Sequence, residues 1–360
     1  MVYNIITLPV SLFFIFLGCL QLVYAIILKK RYPKEHNFNN SLIVVVLWIV
    51  TGTLYPFFYS EYSENLEWFQ TLSTIFICGV TPFILFLILS YQYLFVSRGK
   101  PELKERRTLE AFIKEFNKIK GEIKVHSSHN IFTDIYRKSW HLLPAGIIIL
   151  LYIFAVYIWA GIWGGDQIWG ITGEDFGRFL VLTVGMSGVL LFAGLDYLRL
   201  SYIFDDRSLY HLLPDVVSNL LAKSLKENEI YEFAKSTALC LAFVPIFLFP
   251  IGIFAASALI AAIGDAAASL FGLKFGKRNF PKKSGKTIVG YIAGFLASFG
   301  VSYLALWIFE SNLETMKILI LSLGGAFMFF IIDIWSPKVD DNILNPICCA
   351  LILWILYYIL

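Results

Sequence analysis

The amino-acid sequence predicts an all-α protein, a polytopic transmembrane helical bundle of about ten spans, on three observations. Hydrophobic residues make up 58% of the chain and charged residues only 15%, whereas soluble domains carry about 25% charged residues. The apolar residues form runs of about 20, which matches a hydrocarbon core about 30 Å thick crossed at about 1.5 Å per residue. The basic residues are concentrated in alternate segments between these runs.

Ten apolar segments are predicted to cross the membrane, although the sixth is short and runs into Pro250. The sixth and seventh segments are therefore open to a second interpretation, as one re-entrant hairpin. The ten segments are residues 8–28, 41–59, 69–96, 140–163, 179–204, 236–249, 251–271, 287–309, 316–334 and 343–360.

The distribution of basic residues predicts the orientation, because cytoplasmic loops retain Lys and Arg. With the N-terminus outside, every basic residue except Arg178 and Lys317 falls on the cytoplasmic side. Ten spans then place the C-terminus on the non-cytoplasmic side as well. Basic loops between spans face the anionic inner leaflet, so a nucleic-acid partner is not expected. The expected membrane is the endoplasmic reticulum in a eukaryote and the cell membrane in a prokaryote.

Three parts follow from the composition: an accessory three-span module over residues 1–96, a basic amphipathic cytoplasmic linker over 97–136, and a seven-span domain over 137–360. Within the linker, five apolar residues fall at helical spacing opposite charged ones. This pattern is typical of a helix lying in the membrane interface, and a lid over a lipid substrate is the alternative. The five residues are Leu109, Phe112, Ile113, Phe116 and Ile119.

The strongest candidate for chemistry is the seventh span and the loop that follows it. Asp265 lies among small residues, where an intramembrane carboxylate is a functional candidate by default. Phosphoryl or nucleotidyl transfer needs a carboxylate for Mg²⁺, with cations and backbone amides for phosphate oxygens. An ordinary basic loop beside a structurally paired aspartate is the alternative. The candidate phosphate-binding residues are Gly272, Gly276, Lys277, Arg278, Lys282, Lys283, Lys286, Thr287 and Gly290.

Two other cytoplasmic edges supply candidate partners. Arg137 and Lys138 precede the fourth span, and the run Asp340-Asp341-Asn342 precedes the tenth. Clustered carboxylates beside an amide suit a second metal site or a base for a hydroxyl proton, whereas an acidic loop that caps the tenth helix is the alternative. The cysteines lie within spans and the histidines show no metal-ligand spacing, so zinc, disulfide and thiol chemistry are not expected.

Taken together, these motifs resemble the CTP-dependent polyprenol kinase family, which includes dolichol kinases, phytol kinases and the fungal CTP-dependent diacylglycerol kinase. The resemblance extends from about Arg137 to the C-terminus, and one departure is Val289, where many dolichol kinase-like members carry an acidic residue. It is carried by Arg137-Lys138 with His141, Gly264-Asp265 with Ala268-Ser269 and Gly272, Phe275-Gly276-Lys277, Lys286-Thr287 with Gly290, and Asp341-Asn342 with Pro346.

The resemblance implies transfer of the γ-phosphate of CTP to the hydroxyl of a membrane lipid alcohol. Dolichol or another polyprenol is the first expectation, and phytol, geranylgeraniol and diacylglycerol are the others. The related CDP-diacylglycerol synthases transfer CMP instead, but their histidine-glycine-glycine and paired-aspartate signatures do not occur between Lys286 and Val301. A lipid transporter that binds an anionic headgroup is a further alternative.

The hypothesis assigns the residues of three segments to one site. Asp265 coordinates Mg²⁺ bound to CTP, and the basic loop holds the phosphates. Asp341, with Asn342 and Asp340, completes the metal site or activates the lipid hydroxyl. Arg137 and Lys138 close the site from the opposite helix. The predicted catalytic residues are therefore Arg137, Lys138, Asp265, Asp341 and Asn342, and the predicted metal ligands are Asp265, Asp340 and Asp341.

Overall fold

The computed structural model describes residues 4–59, 67–125, 129–225, 227–281, 286–335 and 339–360. Within these ranges the chain is helical and forms no strand, apart from one isolated antiparallel bridge between Asn279 and Thr287. This confirms the predicted all-α class for the part of the chain that the structure describes.

Sixteen α-helices of the described ranges are numbered here in chain order. They are α1 (Leu8–Arg31), α2 (Phe38–Leu54), α3 (Glu67–Ile75), α4 (Thr81–Tyr91), α5 (Pro101–Arg106), α6 (Leu109–Val125), α7 (His129–Ile153), α8 (Gly165–Trp169), α9 (Gly173–Leu200), α10 (Asp215–Ser224), α11 (Lys235–Ile246), α12 (Ile251–Leu259), α13 (Asp265–Phe275), α14 (Ile288–Phe309), α15 (Thr315–Trp335) and α16 (Asp341–Ile359). π-Helical turns join α3 to α4 and α12 to α13, so that each pair forms one continuous rod.

Nine helical segments in the described residues are long and apolar enough to cross a bilayer, which supports the assignment to membrane proteins. They are Leu8–Arg31, Phe38–Tyr59, Glu67–Ser97, Leu142–Ala160, Gly173–Asp205, Ile251–Phe275, Ile288–Phe309, Thr315–Trp335 and Asp341–Ile359.

The sixth predicted span differs from the other nine. It is the helix α11, whose 12 residues extend about 18 Å at about 1.5 Å per residue, less than the hydrocarbon thickness of about 30 Å. Pro245 lies inside this helix and cannot donate to the carbonyl four residues earlier, and Pro250 caps α12. The predicted orientation depends on whether α11 crosses the membrane, so it stays a prediction.

The chain packs as two compact units. The first comprises Met1–Val125 and Gly146–Thr237, and the second comprises His126–Ala145 and Ala238–Leu360. This division describes packing, and the predicted limits of the accessory module, the linker and the seven-span domain stay a prediction.

In the first unit, the amphipathic helix α6 is present but its apolar face packs against protein. Phe112 and Phe116 are buried in a core cluster that also contains Tyr210 and Leu213, and the Phe112 ring centroid lies 6.4 Å from that of Tyr210. Protein therefore covers these two apolar side chains, and the predicted position of α6 in the membrane interface stays a prediction. The cause is that residues 201–213 provide an apolar surface that the local periodicity of α6 could not reveal.

Asp196 and Arg199 form a structural pair in the same unit. Arg199 donates to Asp196 at 3.1 Å and to the backbone carbonyls of Glu229 and Ile230 at 3.2 and 2.9 Å. Asp196 in turn accepts from the Thr237 hydroxyl at 2.8 Å. The pair ties α9 to the segment before α11, and the buried Nε of Arg199 is the guanidinium atom for which the described residues supply no hydrogen-bond partner.

Candidate functional site

The candidate site lies in the second unit and begins with Asp265. A π-helical turn over Ile260–Gly264 directly precedes this residue. Such a turn inserts one residue into an α-helix and is frequent at functional sites. Because it rotates the following residues about the helix axis, it decides which neighbours the Asp265 carboxylate meets. The side chain is 14% exposed.

Two polar pairs join α7 to α13. The Lys138 ammonium contacts the Asp265 carboxylate, and the Ser269 hydroxyl donates to the carboxylate of Asp134. Both pairs use residues four apart, which lie on one face of a helix. The structure therefore brings Lys138 into contact with Asp265 from the opposite helix, and the alternative of a structurally paired aspartate accounts for the same contact.

Asp134 was not among the predicted site residues, although its spacing of four from Lys138 could have suggested it. The predicted partner Arg137 lies in α7 beside Lys138, but its side chain is outside the described residues, as is that of His141.

A second ion pair joins Lys286 to Asp333. The Lys286 Nζ lies 2.5 Å from Asp333 Oδ1 and 3.1 Å from the Asp333 backbone oxygen. Asp333 is buried near the C-terminal end of α15, and the sequence reasoning missed it. The signal was available, because a carboxylate inside an apolar span is a functional candidate on the same grounds as Asp265.

Lys286 also connects the predicted carboxylates. Burial of its ammonium lowers the pKa, but the attraction of Asp333, followed by Asp341 and Asp265, outweighs burial and raises the pKa above the usual lysine value. The three carboxylates therefore act on one ammonium group. We call Lys138, Asp265, Lys286, Asp333 and Asp341 the carboxylate–lysine cluster.

The run Asp340-Asp341-Asn342 forms the start of α16. Asp340 Oδ1 accepts from the backbone N–H of Asn342 at 2.9 Å and from its Nδ2 at 2.7 Å. The Asn342 Nδ2 also donates to Asp341 Oδ1 at 3.1 Å. Asp340 thus serves as the helix cap, the alternative interpretation of this run, while Asn342 orients the Asp341 carboxylate.

The predicted phosphate-binding glycines lie in a close contact between α13 and α14. A Cβ on Gly290 would lie 2.7 Å from the backbone oxygen of Ala268, and one on Gly276 would lie closer still to that of Gly272. The Thr287 hydroxyl caps α14 by accepting from the Gly290 N–H at 3.2 Å. Helix packing and capping therefore account for Gly276, Thr287 and Gly290 without a bound phosphate.

The basic loop before α14 is closed at its base. The N–H of Ile288 donates to the Arg278 carbonyl at 3.2 Å, and the N–H of Phe280 donates to that of Lys286 at 3.0 Å. Lys277 and Arg278 themselves are exposed. Lys282 and Lys283 lie outside the described residues, so Lys286 is the member of the predicted loop that the structure brings into the cluster.

The described carboxylates do not form a complete metal site by themselves. In the described ranges no group of three or more His, Cys, Asp or Glu side chains is arranged to hold a metal ion. Asp340, one of the three predicted ligands, uses an oxygen in the helix cap. Mg²⁺ in phosphate-transferring sites is usually held by one or two carboxylates together with substrate phosphates. A magnesium ion held by Asp265 and Asp341 stays a prediction.

Comparison with protein-family models, with curated proteins and with solved structures gives no match for this chain.

Proposed function

We propose that this chain transfers the γ-phosphate of CTP to the hydroxyl of a membrane lipid alcohol, with a dolichol- or polyprenol-type alcohol as the first candidate. The observation that carries the proposal is the carboxylate–lysine cluster, in which Lys138 contacts Asp265 and the Lys286 Nζ lies 2.5 Å from Asp333 Oδ1. Phosphoryl transfer depends mainly on positioning and on neutralising charge on phosphate oxygens. The choice of CTP and of a lipid alcohol rests on the motif resemblance from Arg137 to Pro346.

In this proposal the cluster exchanges partners when the nucleotide binds. Lys138 is paired with Asp265 and exchanges that carboxylate for a phosphate oxygen, whereas Lys286 keeps its contact with the buried Asp333 and adds its positive charge to the phosphate site. Asp265 and Asp341 are then available to hold Mg²⁺, which supplies charge neutralisation on the phosphates when bound. Asn342 keeps the Asp341 carboxylate in one orientation through its amide.

The exchange explains how charged groups persist beside apolar helices without nucleotide. An isolated charge removed from water is expensive, whereas a charge paired with an opposite one is tolerated. The two lysines therefore neutralise carboxylates in the nucleotide-free protein and contribute positive charge toward the phosphates in the complex.

The proposal is tested by incubating the purified full-length protein in lipid nanodiscs with CTP, Mg²⁺ and a panel of lipids. The panel contains a long polyprenol, geranylgeraniol, phytol, diacylglycerol and phosphatidate. We expect CDP and a phosphorylated alcohol. Pyrophosphate with a CDP-lipid from phosphatidate would instead identify a cytidylyltransferase, and no turnover with any lipid would favour the transporter.

The substitution Asp265→Asn is expected to reduce CTP turnover at least about 100-fold, because it removes a carboxylate that would hold the Mg²⁺ ion bound to the transferring phosphate. The protein is expected to fold, since the amide oxygen of the new side chain still accepts from Lys138. Asp215→Asn is the matched control, because that carboxylate is 67% exposed and pairs with Arg107 in the first unit, outside the candidate site. Turnover retained by Asp265→Asn would contradict the assignment of this residue.

A further inference from the structure

The side chain of Asn345 is a buried amide to which the proposed reaction assigns no role. It lies in α16, four residues after Asp341, and only 3% of its surface is exposed. Its Oδ1 is buried and has no hydrogen-bond partner in the described part of the chain. Residues four apart share a helix face, so Asn345 lies on the face of α16 that carries Asp341, about 6 Å further along the helix.

An unpaired amide oxygen at this position is unfavourable for folding. Buried polar groups are nearly always hydrogen-bonded, and no bulk water is available inside a membrane span. A valine or leucine would fill the same space without that penalty. A ligand that supplies the missing hydrogen-bond partner would account for the presence of an amide at this position.

The unpaired oxygen atoms in this turn of α16 require a ligand that donates a hydrogen bond. The free atom of Asn345 is an acceptor, and Pro346 has no N–H to donate to the Asn342 carbonyl, so that carbonyl loses its usual helical donor. Phosphate oxygens of a nucleotide are acceptors and cannot satisfy either oxygen. A hydroxyl group can, and a lipid alcohol approaches from the bilayer side, where α16 is embedded.

We infer that Asn345 Oδ1 accepts the hydroxyl hydrogen of the lipid alcohol and holds that hydroxyl one helical turn from Asp341. The inference rests on the proposed function and adds a substrate-binding residue to it. It also extends the site from the charged layer of Asp265, Lys286 and Asp341 into the apolar part of the second unit, where the alcohol chain lies in lipid.

The test uses two alcohols, geranylgeraniol and dioleoylglycerol, each with its methyl ether, which lacks the O–H donor. Binding of each probe to the full-length protein in nanodiscs is measured by thermal shift. Wild-type protein is expected to prefer an alcohol over its ether by roughly 3- to 10-fold, the value of one hydrogen bond. Asn345→Val is expected to bind alcohol and ether equally and, without ligand, to melt at or above the wild-type temperature.

Cys349→Ala is the matched control, because Cys349 is buried on the same face of α16, four residues further on. It is expected to lower the melting temperature and to keep the preference for alcohol. The inference is overturned if Asn345→Val melts below wild type without ligand, or if it retains the preference. It is also overturned if the substitution weakens CTP binding instead, which would assign the amide to the cytosine amino group.

The same experiment separates this inference from the proposed function. If wild-type protein binds no alcohol and turns over no CTP, both fail together. If wild-type protein phosphorylates an alcohol and Asn345→Val does so with an unchanged KM for that alcohol, the proposed function stands and the role of Asn345 is rejected.

Discussion

Lys138 and Lys286 each meet a carboxylate that the sequence places far away along the chain. Lys138 reaches Asp265 over 127 residues, and Lys286 reaches Asp333 over 47. Asp333 is the more deeply buried member of its pair, with 8% of its side chain exposed against 36% for Lys286. Loss of the lysine would therefore leave a buried carboxylate without its cation, whereas loss of the carboxylate would leave a lysine that is partly exposed to water.

This asymmetry gives a prediction for the Lys286–Asp333 pair. Lys286→Met is expected to destabilise the protein by about 1–3 kcal/mol, because it leaves a buried carboxylate without its cation. The double substitution Lys286→Met with Asp333→Leu is expected to recover most of that stability, because buried pairs can often be replaced by apolar residues. Thermal melting in nanodiscs measures both.

CTP turnover provides the control for the Lys286–Asp333 pair. The double variant is expected to be stable and yet inactive toward CTP, since it lacks the ammonium that binds phosphate in the proposal. A stable double variant with wild-type turnover would show that the pair is structural only.

At this scale the sequence predicted some site residues and missed others for a physical reason. Asp265 was identifiable because small residues surround it and a basic loop follows. Asp333 lies in a run of large apolar residues and was counted as part of a span, although its carboxylate was a signal in itself. Its pairing with Lys286 could not be predicted, because it depends on how the chain packs. The glycines were visible, but a phosphate-binding loop and a close helix contact require the same residue type.

At the scale of elements, the contact between the α12–α13 rod and α14 organises the second unit. Gly264, Ala268 and Gly272 recur every four residues on one helix and meet Gly290 and Gly294 on the other. Small residues at this spacing let two backbones approach closely in a membrane, where packing replaces the hydrophobic effect as the driving force. The contact fixes Asp265 relative to Lys286, which directly precedes Thr287, the cap of α14.

Gly290→Ala tests this contact. The added Cβ would lie 2.7 Å from the Ala268 carbonyl oxygen, a backbone atom that cannot rotate away, so we expect a loss of about 1–3 kcal/mol. Gly300→Ala in the same helix is the control, because its Cβ meets nothing within 4 Å. The melting temperature is measured without nucleotide, and equal melting of the two variants would contradict the packing role.

His36 connects α1 and α2 to the segment before α11 in the first unit. Its Nδ1 lies 2.9 Å from the Tyr231 carbonyl oxygen and its Nε2 lies 3.3 Å from the Ser41 hydroxyl. These partners suit a neutral ring that donates through Nδ1 and accepts through Nε2. Burial of the ring lowers the pKa of His36 below its ordinary value.

A lowered pKa means that the unfolded chain binds the proton more readily than the folded one. The stability that neutral His36 contributes is therefore present above the ordinary histidine pKa of about 6.5 and is lost as the pH falls toward the lowered value. Melting curves at pH 5.5 and 7.5 should show acid destabilisation that is smaller in His36→Gln. Burial also lowers the pKa of His211, so part of the acid destabilisation is expected to remain in His36→Gln. An acid destabilisation of His36→Gln equal to that of the wild type would contradict the role of His36.

At the scale of the whole molecule, composition and apolar run length were sufficient for the fold class. Nine of the predicted spans coincide with helices of the described chain that can cross a bilayer, because the thickness of the hydrocarbon core fixes the required length. The length of the sixth helix was overestimated, since the apolar run of residues 236–249 continues past Pro245 whereas the helix ends at Ile246. The burial of α6 was not predictable, because hydrophobic periodicity marks an apolar face without saying whether lipid or protein covers it.

The proposed reaction moves the γ-phosphate of CTP onto the hydroxyl of a membrane lipid. The most direct test supplies CTP labelled in the γ-phosphate or in the α-phosphate to the protein in nanodiscs containing the alcohol that supports turnover. Separation of lipids from nucleotides then locates each label. The proposal predicts the γ-label in the lipid fraction and the α-label in CDP. The α-label in the lipid fraction, with the γ-label released as pyrophosphate, would contradict it.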